Sequence, residues 1–231
     1  MRVLEFDPDL APGLAPSSRA EAAAASEAEV IHLAPGVWRP PTEVPPAHMG
    51  MLMIEGLLAR RVRLAGRESV ELLAPGDVLR PWIVLGPTSS IEIAVVWSVL
   101  EPAAVAVLDP DFARRLAPWP EVTAALMDRL TLRARWLAFT LAISHVRRVD
   151  DRLLLLFWHL ADRRGRVTAD GVVVPVKLSH QALGTIIGAQ RPTVSTALGQ
   201  LRDRGLLERA NEGSWILRGE PPRPASFSAD G

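Results

Sequence analysis

Cysteine and tyrosine are absent from the 231 residues of the chain. Without cysteine the protein has no disulfide, no thiolate nucleophile, no iron–sulfur ligand and no zinc site of the cysteine type. No run approaches the roughly 20 apolar residues of a membrane span, and the opening "MRVLEFDPDLAPGL" carries acids where a signal peptide needs an apolar stretch. The sequence therefore predicts a cytoplasmic protein with no membrane partner.

The arrangements that catalysis and metal binding require are missing as well. We identify neither a nucleophile with its base nor paired acids of a catalytic cleft, and we interpret Asp109 and Asp111, near the end of a predicted strand, as turn and capping residues. The histidines are scattered along the chain and none forms a His-x-His pair. We therefore expect no catalytic residue, no metal and no cofactor, and we do not expect an enzyme.

Charge is unevenly distributed, although the formal net charge is zero. Residues 1–144 carry 13 arginines against 17 acidic residues, whereas residues 145–219 carry 12 basic residues against 7 acidic ones. A cationic C-terminal part indicates an anionic partner for that part alone. The bias is small, and ordinary surface charge is the alternative explanation.

The N-terminal half has two patterns. Residues 1–28 are rich in proline, alanine and serine, and "SRAEAAAASEAEV" within them predicts a short helix. In residues 29–119, short runs of branched residues alternate with glycine and proline, which predicts the strands of an antiparallel, jelly-roll-like β-roll. The clearest hairpin signal is "RVRLAGRESVELL", where Ala65 and Gly66 separate two alternating runs.

Residues 120–147 predict one long helix that begins at a proline. A helix of about 27 residues is about 40 Å long, more than an adjacent small roll can cover, so we predict that it forms a homodimer with the same helix of a second subunit. A helix lying wholly on its own roll is the alternative. The predicted dimer residues share one stripe and are Val122, Leu126, Leu130, Arg133, Leu137, Thr140 and Ile143.

Residues 148–219 have the element order of a winged helix-turn-helix: a helix, a strand, two more helices and a hairpin. Asp150 or Asp151 is the predicted N-cap of the first helix. The second helix is predicted to begin after Ser179 and to end at Gly188. We expect residues 220–231 to form a disordered tail.

The third helix of this module begins in "GAQRPTVSTALGQLRDRGLL", whose apolar positions lie on one face. Pro192 stands in the first turn, where its missing N–H removes no intrahelical hydrogen bond. Arg191 is long enough to reach guanine O6 and N7 in the major groove from the start of the helix. Short polar side chains that suit phosphate oxygens surround it, namely Ser179, His180, Gln181, Gln190, Thr193 and Ser195.

Residues 178–218, "LSHQALGTIIGAQRPTVSTALGQLRDRGLLERANEGSWILR", resemble the DNA-binding module of the Crp/Fnr family of bacterial transcription regulators. The order of β-roll, long helix and winged helix matches that family, and "LLAPGDVLRPW" and "VLEPAAVAVLDPDFARRL" resemble parts of its effector domain. The resemblance implies that Arg191 reads a base and that Pro192 and Thr196 stand at the other two base-reading positions. Because these two residues depart from the usual Glu and Arg, the family's usual half-site is not expected.

The effector domain departs further from the family pattern. Where a cyclic-nucleotide cassette has Gly-Glu-Leu after Gly-Asp, Gly76 and Asp77 are followed by "VLRPW", and "GPTSSIEIAVVW" contains no arginine for the cyclic phosphate. A buried phosphate without a cationic partner is costly, so we expect no cyclic AMP binding. The effector stays unidentified. Weak candidates for its contacts are Arg80, Trp82 and Trp97, with core packing as the alternative for the tryptophans.

Together these observations predict an α+β protein, a homodimeric and sequence-specific regulator of transcription that binds double-stranded DNA. RNA polymerase is a candidate further partner. The alternative function is a small-molecule-binding or protein-interaction module whose winged helix contacts protein. Salt-dependent DNA binding distinguishes the two.

Overall fold

The computed structural model describes residues 1–82, 93–210 and 213–222. The chain divides into two compact units, Met1–Trp136 and Leu137–Gly231, and the predicted α+β fold is confirmed. The division falls inside the long helix, so the predicted boundaries at 119/120 and 147/148 do not coincide with it. No helix in the described ranges is long and apolar enough to cross a membrane.

The N-terminal unit is built on an antiparallel sheet with the strand order β1-β6-β3-β4, in which β2 also pairs with β6 and β5 with β3. Two strands of 15 residues, β3 and β6, form its centre and lie side by side along almost their whole length. The strands are β1 Glu29–Leu33, β2 Gly36–Trp38, β3 Gly50–Leu64, β4 Arg67–Leu73, β5 Val78–Leu79 and β6 Ala94–Leu108.

Glycines shape two positions of this sheet. Ala65 and Gly66 both have positive φ, 47° and 74°, and close the predicted hairpin between β3 and β4. Such φ values are those of the tight turn whose twist matches that of the strands. Gly56 lies at a register shift of β3, where a β-carbon would come within 2.2 Å of the Pro102 carbonyl oxygen. Only glycine fits this close approach between β3 and β6.

Residues 1–28 pack onto the roll, and the predicted short helix is confirmed as α2 Pro16–Ala25, which follows α1 Val3–Phe6. Their buried side chains join the same core as the helix α3 Pro110–Leu116 and the start of the long helix α4 Pro120–His145. The indole of Trp119 donates to the Ser18 hydroxyl at 2.9 Å. The N-terminal segment is therefore part of the core of this unit.

The long helix is confirmed, but most of the predicted dimer stripe faces the chain's own N-terminal unit. Val122 and Leu126 are buried in its core, and Leu130 packs against it. Arg133 donates to both carboxylate oxygens of Glu71 and to the Val78 carbonyl oxygen. The assignment of Val122, Leu126 and Arg133 to an intersubunit contact is therefore wrong, because these side chains are already occupied within one chain. Farther along, Ile143 is also buried, Thr140 is half-buried and Leu137 is exposed.

A second row of α4, which shares Leu130 and Leu137 with the predicted stripe, is mostly exposed. Its members recur at alternating intervals of three and four residues, the spacing of a coiled-coil seam. Met127 and Leu141 are the most exposed, at 63% and 61%. We call this row the α4 seam, and it consists of Met127, Leu130, Ala134, Leu137, Leu141 and Ser144.

The C-terminal unit contains the three predicted helices, and its sheet has one strand more than predicted, Arg166–Thr168. The sheet has the order β7-β8-β10-β9, with antiparallel pairing throughout the described strands. The predicted caps Asp150 and Asp151 are wrong, because Arg148 holds the N-cap position and both aspartates lie in the first turn. The elements are α5 Val149–Arg164, β7 Arg166–Thr168, β8 Gly171–Val174, α6 His180–Ile187, α7 Arg191–Asp203, β9 Leu207–Arg209 and β10 Trp215–Leu217.

Two sequence predictions lie wholly or partly outside the described residues. Residues 211 and 212, at the predicted turn between β9 and β10, are not described. Of the predicted tail, residues 223–231 are not described either. The strands on both sides of the turn pair as predicted, with Trp215 opposite Arg209.

Candidate nucleic-acid interface

The turn between α6 and α7 brings the two helices into close contact. The Ser179 hydroxyl accepts the Ala182 N–H at 3.1 Å and caps α6, and Gly188 ends the helix in the left-handed conformation with φ 68°, both as predicted. A β-carbon on Gly184 would lie 2.5 Å from the Ala189 carbonyl oxygen. This glycine therefore allows the turn to fold back against α6.

Helix α7 has one buried face and one exposed polar face, as predicted. Val194, Ala197, Leu198 and Leu201 are buried in the unit. Pro192 lies in the first turn, at the start of the helix. The exposed polar side chains of the opposite face are Gln190, Arg191, Thr193, Ser195 and Thr196.

Hydrogen bonds restrict some of the predicted contact residues. His180 Nδ1 lies 2.8 Å from the Ser195 hydroxyl, which donates to the Arg191 carbonyl at 3.1 Å. We infer that Nδ1 carries the hydrogen of this pair, which leaves Nε2 of a neutral ring as an acceptor. Thr196 donates to the Pro192 carbonyl at 3.3 Å. In this geometry Ser195 and Thr196 can accept hydrogen bonds from a ligand, and they donate to one only after rotating.

The cation at the start of α7 is available for an anion. Within the described parts of the chain the Arg191 side chain forms no ion pair, and the acidic side chains at the far end of α7 and on β9 are matched: Asp203 with Arg202 at 3.3 Å and Glu208 with Arg218 at 3.0 Å. The N-terminus of α7 adds the positive end of a helix dipole. The exposed face of α7 is therefore electrostatically suited to a polyanion.

Two cationic residues of the C-terminal unit, Lys177 and Arg209, were not among the contact residues that the sequence predicted. A β-carbon on Gly213 would lie 3.4 Å from Lys177 Cγ and 4.0 Å from Arg209 Nη2, so both side chains lie beside Gly213, just before β10. Lys177 precedes the N-cap Ser179 by two residues, and this spacing could have indicated its place beside α6. Arg209 also lies over the Trp215 ring, 5.5 Å from its centre.

A buried histidine packs where the C-terminal end of α4 meets α5. His159 stacks on Phe139 with ring centres 4.7 Å apart. Burial, with a smaller contribution from Arg163, lowers the pKa of His159 to about 4. The ring is therefore neutral at pH 7, and His159 adds no positive charge to the C-terminal unit.

The predicted effector contacts Arg80, Trp82 and Trp97 differ in their surroundings. Trp97 is a core residue, 6% exposed and packed edge-on against Trp38 at 5.7 Å. Arg80 donates to the His48 carbonyl at 3.1 Å and lies 5.9 Å from the centre of the Trp82 ring. The segment "GPTSSIEIAVVW" extends over residues 86–97, and its part up to residue 92 lies outside the described residues.

Among described residues no group of three or more His, Asp or Glu could hold a metal ion.

The fold and the site define a class of protein in which an antiparallel β-roll, a long helix and a winged helix-turn-helix follow one another. Comparison with known proteins agrees. Residues 148–219 match the family model described as the Crp-like helix-turn-helix domain. The global nitrogen regulator of Nostoc sp. is 31% identical over 88 residues, 38% of this chain and 40% of that protein, and the Synechococcus elongatus protein of the same name is equally similar. The alignment thus spans about two fifths of these curated relatives.

Solved structures share the fold of the chain. FixK2 from Bradyrhizobium japonicum has a TM-score of 0.64 at 17% identity, over 89% of this chain and 99% of FixK2. A CooA mutant from Carboxydothermus hydrogenoformans has a TM-score of 0.62 at 16% identity, over 85% and 86% of the two chains. The match to a family model thus covers residues 148–219, and these solved structures share the fold of the chain.

Proposed function

We propose that the chain is a sequence-specific, DNA-binding regulator of transcription that acts in the cytoplasm as a homodimer on a two-fold-related site. The observation that carries this proposal is the exposed polar face of α7, which begins with Arg191 and belongs to a Crp-like helix-turn-helix domain. RNA polymerase is a further proposed partner.

Two-fold binding is supported by the α4 seam. All of its apolar members except Leu130 are exposed in one chain, and the row has the spacing that two such helices need to pack against each other. A dimer made by α4 would present two copies of α7 to DNA. Such dimers bind half-sites about one helical turn apart.

Base reading is tested by replacing Arg191 with alanine. We expect the variant to lose about 1–3 kcal/mol of discrimination between its preferred sequence and random DNA, because a bidentate contact to guanine is removed. Thr193→Ala is the matched comparison on the same exposed face and should weaken both kinds of DNA by similar factors, since a phosphate contact carries no sequence information. Selection of bound sequences, then titration at several salt concentrations, supplies both measurements.

Three results would count against the proposal. A wild-type protein that binds no DNA, or binds it without salt dependence, would favour the protein-interaction alternative. Equal losses on specific and random DNA for Arg191→Ala would show that Arg191 contacts phosphate. A single half-site as the preferred sequence of the full chain would contradict two-fold binding.

The proposal includes independence from cyclic AMP and cyclic GMP. Arg80 is engaged by the His48 carbonyl and the Trp82 ring, and Arg80 and Pro81 stand where a cyclic-nucleotide cassette has Gly-Glu. Charge-assisted hydrogen bonds contribute about 1.5–3 kcal/mol each, so two missing contacts reduce affinity by about a hundredfold or more. Isothermal titration with each nucleotide should therefore show no micromolar binding. Micromolar binding that Arg80→Gln abolishes would identify Arg80 as a phosphate ligand instead.

A further inference from the structure

The first turn of α5 is attached to the turn that precedes α7 and to the C-cap residue of α7. Arg152 reaches the turn that precedes α7, where its Nη1 donates to the Ile187 carbonyl at 3.2 Å and lies 3.5 Å from the Gly188 carbonyl oxygen. Its Nε donates to the Val146 carbonyl, one residue after α4 ends. One guanidinium thus connects the end of α4 to the helix-turn-helix turn.

The carbonyl groups at the end of α6 need a hydrogen-bond donor such as Arg152. The last carbonyl groups of a helix have no intrahelical partner and carry the negative end of the helix dipole. At the end of α6, the Ala189 N–H is used by the Gly184 carbonyl, while Ile187 and Gly188 present their oxygens to Arg152. A planar guanidinium can serve carbonyls in two directions at once, which a single ammonium cannot do with the same geometry.

At the other end of α7, Asp150 holds Arg204. The Asp150 side chain is 5% exposed, and its Oδ2 accepts from Arg204 Nη1 at 3.0 Å. Arg204 is the C-cap residue of α7. The hydrogen bond from Arg148 is the largest cause that lowers the pKa of Asp150, and Arg148 and Arg204 both add favourable charge. The carboxylate is therefore ionised at neutral pH.

We propose that Arg152 and Asp150 are positioning residues that set the orientation of α7 for base reading. Both lie on α5, outside the helix-turn-helix. Arg152 holds the turn that precedes α7 and Asp150 holds the C-cap residue of α7, so a shift at either contact would move the side chains on the exposed face of α7 away from the base edges. This inference rests on the proposed DNA-binding function and extends it to residues outside the helix-turn-helix motif.

The test separates orientation from charge and from stability. Arg152→Lys keeps the charge and loses the fork geometry, so we expect the ratio of specific to random DNA affinity to fall about tenfold or more, the worth of one base contact. Affinity for random DNA and its salt dependence should stay within about twofold of wild type, because the net charge is unchanged. Arg202→Lys, at an exposed arginine on α7 itself, is the matched control and should leave the ratio unchanged.

A further variant addresses stability. Val174→Ala truncates a buried side chain of β8 and should lower the free energy of unfolding while leaving the specificity ratio intact at temperatures where the protein is folded.

A cycle of variants tests the contact between Asp150 and Arg204. It consists of Asp150→Asn, Arg204→Gln and their double variant, and the double variant should lose no more specificity than the worse single one.

The outcomes are distinct. If Arg152→Lys keeps the wild-type ratio, or if Val174→Ala at a comparable loss of stability lowers the ratio as much, Arg152 does not position α7. Fully additive losses in the Asp150 and Arg204 cycle would remove Asp150 from the proposal. A wild-type protein without sequence preference would instead overturn the proposed function.

Discussion

Replacing Glu71 with alanine is expected to lower the free energy of unfolding of the N-terminal unit by about 3–5 kcal/mol, the usual cost of breaking a buried ion pair. The Glu71 side chain is 7% exposed and that of Arg133, its partner on α4, is 14% exposed. Arg60 Nε is a second cation, 3.1 Å from Glu71 Oε2. Without the carboxylate, the largely buried guanidinium of Arg133 loses its counter-charge and stays beside Arg60, whose side chain is 32% exposed.

Glu68 is the matched control for Glu71, since both belong to β4. Glu68 pairs with Arg61 and Arg63 in a more exposed setting, so Glu68→Ala should cost less than about 1 kcal/mol. Urea unfolding of the full chain, followed by tryptophan fluorescence and circular dichroism, measures both. Equal costs for the two variants would mean that water compensates the charges around Glu71.

Replacing Leu141 with glutamate is expected to convert the proposed homodimer into monomers and to weaken binding to a two-half-site operator by about a hundredfold or more, because the linked second half-site is lost. Leu141 is a member of the α4 seam and is 61% exposed. In a dimer packed along this row, two glutamates would meet in an apolar contact without cationic partners. Light scattering gives the mass, and operator titration gives the affinity.

Leu132→Glu is the control for this substitution. Leu132 is 43% exposed on another side of the same helix, so the new charge stays in water whether or not the seam is covered. A dimer that survives Leu141→Glu, or one that Leu132→Glu disrupts instead, would place the interface elsewhere on the protein.

Much of the candidate site could be predicted from the sequence because its signals are local. Ser179 and Gly188 mark the start and end of α6 through hydrogen bonding and left-handed backbone geometry, which depend on a few neighbouring residues. The apolar spacing of α7 determines which of its faces is buried, and hence that Arg191 is exposed. The hairpin at Ala65 and Gly66 follows from turn chemistry in the same way.

The tertiary structure alone decided which side of α4 is covered. Helical periodicity shows that a stripe exists, but α4 has apolar residues on more than one side, and both the Val122 side and the Met127 side fit an interface. The core of the N-terminal unit takes the first, and Glu71 holds Arg133 there from a strand about sixty residues earlier, a pairing that no local pattern in the sequence encodes. The contacts of Arg152 and Asp150 were also decided by the tertiary structure. Their partners, Ile187 before α7 and Arg204 at its C-cap, are distant in sequence and become neighbours only when α5 packs against the helix-turn-helix.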